Sequence, residues 1–112
     1  MSLHVYAVPP GDGGEPVEHL RFDCFDEDPH YHYVSVRDGS NVVAHLDPVA
    51  IGDPLAWALD RLRHRLPQML AHAGASDLAE RVDAAAIDDV LPRVTEAAFR
   101  LRYAHADGEA RP

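Results

Sequence analysis

The stretch RFDCFDEDPHYHY, Arg21 to Tyr33, decides how this chain is read. Its first half continues an extended segment over Val17 to Phe25. Side chains alternate there, so Leu20, Phe22 and Cys24 share one side, read as core, and His19, Arg21 and Asp23 share the other, wetter side. Asp26 to Pro29 is a turn, because a residue before proline is pushed away from helix. His30 to Val36 is rich in aromatic and β-branched residues and reads as the next strand. Two strands joined by so short a turn imply an antiparallel pair.

Working outward, Leu3 to Val8 reads as a first strand. Pro9 to Pro16 is too rich in proline and glycine for a helix and reads as a loop. Arg37 to Asn41 contains Asp-Gly, a hairpin signal, and Val42 to Leu46 is a fourth strand. Asp47 to Asp53 is a connection. Asp53 followed by Pro54 is a helix start, an acid at the N-cap and proline at the first helical position. Leu59, Leu62, Leu66, Met69 and Leu70 then recur at three and four, the spacing of an amphipathic helix. Pro67 predicts a kink or break near Arg63 to Leu66, and Gly74 closes the element.

Ser76 or Asp77 is read as the cap of a short helix to about Ala85, with Glu80 at capping-box spacing. Asp88 or Asp89 is read as the cap of a third, with Pro92 in its first turn and Ile87, Val90, Val94, Ala98 and Leu101 as its apolar stripe. Residues 106–112 read as a frayed tail. Strands first and helices afterwards predict one α+β domain over residues 1–112: an antiparallel meander of about four strands, with two or three helices packed on one face.

Composition narrows the chemistry. The chain has 112 residues, 46% of them apolar, enough for one packed domain. Its basic residues are all arginine, which excludes Schiff-base chemistry and a P-loop, since both need lysine. A formal charge of -9 argues against nucleic acid as a partner. The lone cysteine forms no internal disulfide, and neither a membrane span nor a signal peptide is expected, which points to a cytoplasmic protein.

The candidate site is His30-x-His32. On a strand both imidazoles point to one side and can reach one ion, and Asp23 on the paired strand supplies a carboxylate. His19 and His45 are further candidates nearby. The same residues also read as a polar sheet face with histidines hydrogen-bonded to acids. Asp26, Glu27 and Asp28 read as a solvated acidic turn, lacking the calcium-loop pattern. Cys24 reads as buried and inert. Arg61, Arg63, His64 and Arg65 form a basic knot that can dock an acidic group or stay solvated, and Leu55 and Trp57 read as partly exposed beside it.

The segment Arg21 to Ala73 resembles small bacterial proteins with an RFDCF-x3-PHYHY motif, an LDP segment (Leu46, Asp47, Pro48) and a helix of the WALDRLRHRLPQML type. These form a domain of unknown function, so the resemblance implies no activity. Arg21-Phe22-Asp23 and Pro29-His30 are also similar, with different spacing, to TumE-like toxins of toxin–antitoxin pairs. The function expected is a non-enzymatic binding or interaction module, as a homodimer with a possible protein partner and no cofactor. The alternatives are a small hydrolase or nuclease holding a divalent transition metal on Asp23, His30 and His32, with Tyr31 or His45 as acid or base, or a toxin–antitoxin component.

Overall fold

The computed structural model describes residues 1–8, 14–35 and 38–110, the last of these, 103–110, as backbone only. Residues 9–13 of the loop expected over Pro9 to Pro16, Val36 at the end of the expected third strand, Arg37 at the start of the hairpin connection, and residues 111–112 of the tail lie outside the described residues. Four strands, β1 (Ser2–Ala7), β2 (Val17–Asp23), β3 (His30–Val34) and β4 (Asn41–His45), pair antiparallel in the order of the chain. Helices α1 (Pro48–Ile51), α2 (Pro54–His72), α3 (Ser76–Glu80) and α4 (Ala84–Ala110) follow. The α+β meander read from the sequence is therefore the architecture. No described helix is long and apolar enough to cross a membrane.

The period of two gives the sheet two unlike faces. Leu20 and Phe22 are fully buried under α2, which turns Leu55, Ala58, Leu59 and Leu62 onto them. Phe22 and each of the leucines contributes about 1.5–3 kcal/mol by leaving water. Leu55 is thus core rather than partly exposed, and Trp57 lies half-buried beside Phe22 and Tyr31. Helix α4 packs behind α2, and its Leu91 and Ala98 join the same core. The opposite face of the sheet carries Asp23, His30 and His32.

Helix boundaries differ from the sequence reading in five places, one of them that α4 runs on to Ala110 through residues 106–110, which read as tail. Asp47 Oδ1 accepts from Val49 N (3.0 Å) and caps a turn, α1, inside the expected connection. Helix α2 runs unbroken through Pro67. Four buried residues flank the proline on one stripe, Leu62 and Leu66 before it and Met69 and Leu70 after it. Their combined burial exceeds the ~3 kcal/mol that an interior proline costs. Helix α3 ends at Glu80, and no side chain caps it, so the Asp77–Glu80 box does not form. Helix α4 starts at Ala84: Asp83 Oδ1, not Asp88 or Asp89, accepts from Ala85 N at 2.9 Å. Pro92 consequently lies well inside α4, on its exposed side.

The end of α2 is a Schellman turn. Ala75 N donates to Leu70 O (2.9 Å) and Gly74 N to Ala71 O (3.0 Å). This needs Gly74 at φ +90, where a Cβ would also come within 3.3 Å of Ser35 Oγ.

Candidate metal centre

Strand register assembles the site. Asp23 pairs directly with His30, Arg21 with His32, and His30 in turn with His45. Asp23 and His32 are only 7% and 8% exposed, unusual for an ionisable pair on a helix-free sheet face. Asp23 Oδ2 stands 2.8 Å from His30 Nε2 and 3.0 Å from His32 Nε2. Asp23 Oδ1 accepts from Ser2 Oγ, the residue opposite it on β1 (2.5 Å).

The outer nitrogens of both rings are committed. His30 Nδ1 lies 2.8 Å from the backbone carbonyl of Asp28, which can only accept, so this nitrogen donates. His32 Nδ1 lies 2.8 Å from Asn41 Oδ1 and donates likewise. A neutral imidazole that donates through Nδ1 keeps its lone pair on Nε2. With both rings neutral, two such lone pairs converge with a carboxylate oxygen; with the rings protonated, each Nε2 donates to that oxygen instead. Arg21 meets one of them, with Nη2 3.2 Å from His32 Nε2. Its Nε is buried without a hydrogen-bond partner and is 3.6 Å from Asp23 Oδ2, an ion-pair distance beyond hydrogen-bond reach.

Asp23 stays a carboxylate. Burial pushes its carboxyl up, but the Ser2 hydroxyl, His32, and the charges of Arg21 and His30 together hold it below the usual range. The arrangement is one that could hold a metal ion: convergent nitrogen and oxygen donors, each imidazole fixed from behind by an acceptor. The three donor atoms lie within 4.8 Å of one another. An ion ~2.1 Å from each tetrahedral donor needs them about 3.4 Å apart, so the group must open by about half an ångström to close on zinc.

The other candidates fall into place around this group. His45 Nδ1 is tied to Asp28 Oδ1 (3.0 Å), and Asp28, His30 and His45 form a second, more exposed grouping that could hold a cation. Asp28 sits at φ 53, a conformation that aspartate tolerates. His19 is not in the site. The β1–β2 register shifts between Val5 and Tyr6, and Glu18, three residues before Arg21 on the same strand, lies 2.6 Å from His4 Nδ1 and 3.7 Å from Arg21. Tyr31 cannot serve as acid or base here. It points to the helix side, against Phe22 and Trp57. Cys24 is half-buried at the core edge, and its thiol is pushed up to about 11, chiefly by burial. The basic knot is mostly neutralised: Arg61 and His64 pair with Asp60, and Arg63 with Asp88.

Ser2, Arg21 and Asn41 escaped the sequence reading as partners of the site. The register that sets Ser2 opposite Asp23 depends on how the 9–16 connection is crossed, and Asn41 was taken for part of a turn.

The family model described as domain of unknown function (DUF7700) matches residues 1–98. No curated protein and no solved structure matches the chain.

Proposed function

The chain belongs to the DUF7700 family, whose description assigns no activity, and we propose that it is a metal-binding module. Asp23, His30 and His32 take one divalent transition-metal ion on the open face of the sheet. The observation that supports this is the convergence of two imidazole Nε2 atoms and one carboxylate oxygen, with both Nδ1 atoms already used as donors. A cation at their meeting point would take the place of the Nε2 protons that otherwise bridge each ring to the carboxylate. Mixed nitrogen and oxygen donors suit zinc, nickel, cobalt or iron(II) better than calcium or magnesium. Three protein ligands leave coordination positions open, and Arg21 stands beside them, suited to an anionic further ligand.

Calorimetric titration of the metal-stripped protein with zinc and nickel tests the reading. One ion per chain is expected, with the affinity lost in His30→Ala and in His32→Ala. Equal binding by wild type and both variants would remove these residues from any metal site. The same titration with magnesium or calcium should give no comparable binding.

A further inference from the structure

On the other side of the sheet, a cleft of about 410 Å3 opens between β3 and α2, within the size range of small-molecule sites. It exists because α2 covers the sheet unevenly. The helix seals Leu20 and Phe22 on β2 but leaves Val42 on β4 54% exposed. The sheet therefore runs on past the helix, and a groove remains over β3.

The residues of this groove follow from two periodicities. Tyr31 and Tyr33 are two apart on a strand and share the face under the helix. Trp57, Arg61, Arg65, Gln68 and His72 recur at four, four, three and four along α2, so they form one stripe on its flank. The two sets meet edge to edge.

The rings form a continuous wall. Trp57 and Tyr31 have centroids 5.7 Å apart, Tyr31 and Tyr33 5.2 Å, and Tyr33 and His72 4.5 Å. The charges are of one sign. Arg61 and Arg65 line the cleft and, among the described residues, no carboxylate does, in a chain whose formal charge is -9. The Arg61 guanidinium lies 5.6 Å from the Trp57 ring centre. One end of it is held by Asp60 on the same helix, while its Nε is buried without an acceptor. Arg65 forms no ion pair with any described residue and projects at the exposed rim. Gln68 and the tyrosine hydroxyls add neutral hydrogen-bonding groups. Burial, reinforced by the hydroxyl of Tyr31, raises the Tyr33 phenol to about 12, so it stays protonated at neutral pH.

An aromatic wall with two arginines over it fits a flat ring that carries an acidic group. We infer that this cleft binds a small aromatic anion, its ring against Tyr31 and Trp57 and its carboxylate or phosphate on Arg61 and Arg65. The site is separate from Asp23, His30 and His32, which lie on the opposite face of the sheet, and it does not depend on their binding a metal.

Trp57 is the sole tryptophan, so its emission reports directly on the cleft. The full chain is titrated with benzoate and with phenyl phosphate, and in parallel with benzamide, acetate and inorganic phosphate. At least one of the two aromatic anions should shift Trp57 emission saturably, and the tighter of the two identifies the acidic group. The neutral or ringless probes should bind about tenfold more weakly or worse, the loss expected for one charge-assisted hydrogen bond or one ring contact. Arg65→Gln, at an exposed position, should weaken the aromatic anion by about tenfold with no change in melting temperature. EDTA should leave the titration unchanged. The inference is overturned if neither aromatic anion saturates, if benzamide binds as well as benzoate, or if acetate or inorganic phosphate matches its aromatic counterpart. It is equally overturned if Arg65→Gln binds like wild type, or if EDTA abolishes binding and so places the anion at the metal.

Discussion

Asp23 and His30 face each other across the β2–β3 pair, with Oδ2 and Nε2 2.8 Å apart. His32, one pair along and opposite Arg21, reaches the same oxygen at 3.0 Å. A single carboxylate oxygen thus serves two imidazoles that the strand period places side by side. Each ring already donates through Nδ1, so the two Nε2 atoms are turned to one and the same oxygen.

The Asn41 carboxamide is the outer support of His32, and its effect separates metal ligation from simple polar packing. Asn41→Ala should leave the fold intact, because Asn41 is exposed at the start of the edge strand β4. It should weaken zinc binding by roughly 10–100-fold, the usual loss when the partner behind a metal-bound histidine is removed. Calorimetry on the variant gives the answer, and zinc affinity equal to wild type would mean that the His32–Asn41 contact does not orient a ligand. Affinity in both proteins should also fall on acidification, since the metal must displace protons from the imidazoles.

Asp23 makes stability dependent on acid in a direction that can be worked out. Its folded-state carboxyl titrates below the ordinary value of about 3.9. Its contribution is therefore complete above that ordinary value and is lost as pH falls through the lower folded value. Asp23→Asn cannot titrate. Urea unfolding with EDTA present should find the variant less stable at pH 6 by about 1–3 kcal/mol, the cost of leaving buried partners unmatched. The gap should close as the pH is lowered through 4 towards 2. A gap that stays constant over that interval would show that the Asp23 charge does not contribute.

Cys24 should be slow to react. Burial raises its thiol to about 11, with Asp23 and Asp53 adding to the rise and the chain's N-terminal ammonium opposing it. The thiolate is the nucleophile, so at pH 8 labelling by a disulfide reagent should run roughly a hundredfold slower than in the urea-unfolded chain. Equal rates would mean that Cys24 is open and ionisable, and would revive the thiol as a chemical group.

The strands and their faces were legible because a period of two needs only local sequence, as Leu20 and Phe22 against Asp23 show. His30, His32 and Asp23 were legible as a group for the same reason, and the short turn at Asp26 to Pro29 fixed their pairing. Ser2 was not, because its place depends on a β1–β2 register that shifts near His19; Arg21 was read on the side of Asp23, but its pairing with His32 comes from the β2–β3 register. The cleft between Tyr31, Trp57 and Arg65 was invisible too. It arises from where α2 crosses the sheet, a matter of tertiary packing that no helical stripe announces. The helix ends were the weakest reading. Asp77, Asp83, Asp88 and Asp89 are all plausible caps by residue type, and packing of α4 against α2 chose Asp83.

Pro67 is the place where local chemistry and packing oppose each other most directly. Its ring removes one α2 backbone hydrogen bond and crowds the preceding turn, at ~3 kcal/mol, yet the helix continues. Leu66 and Leu70, 7% and 2% exposed on either side of it, hold both halves on the same core. Replacing the proline should therefore release the cost without altering the packing. Against this, Pro67→Ala loosens the unfolded chain by about 0.4–1 kcal/mol and removes some contact from a half-buried ring. The net expectation is a gain of about 1–2 kcal/mol, read as a higher urea midpoint with an unchanged slope. A lower midpoint would show that the proline ring packs against its neighbours strongly enough to outweigh the lost hydrogen bond, and that α2 has adapted to it rather than merely tolerating it.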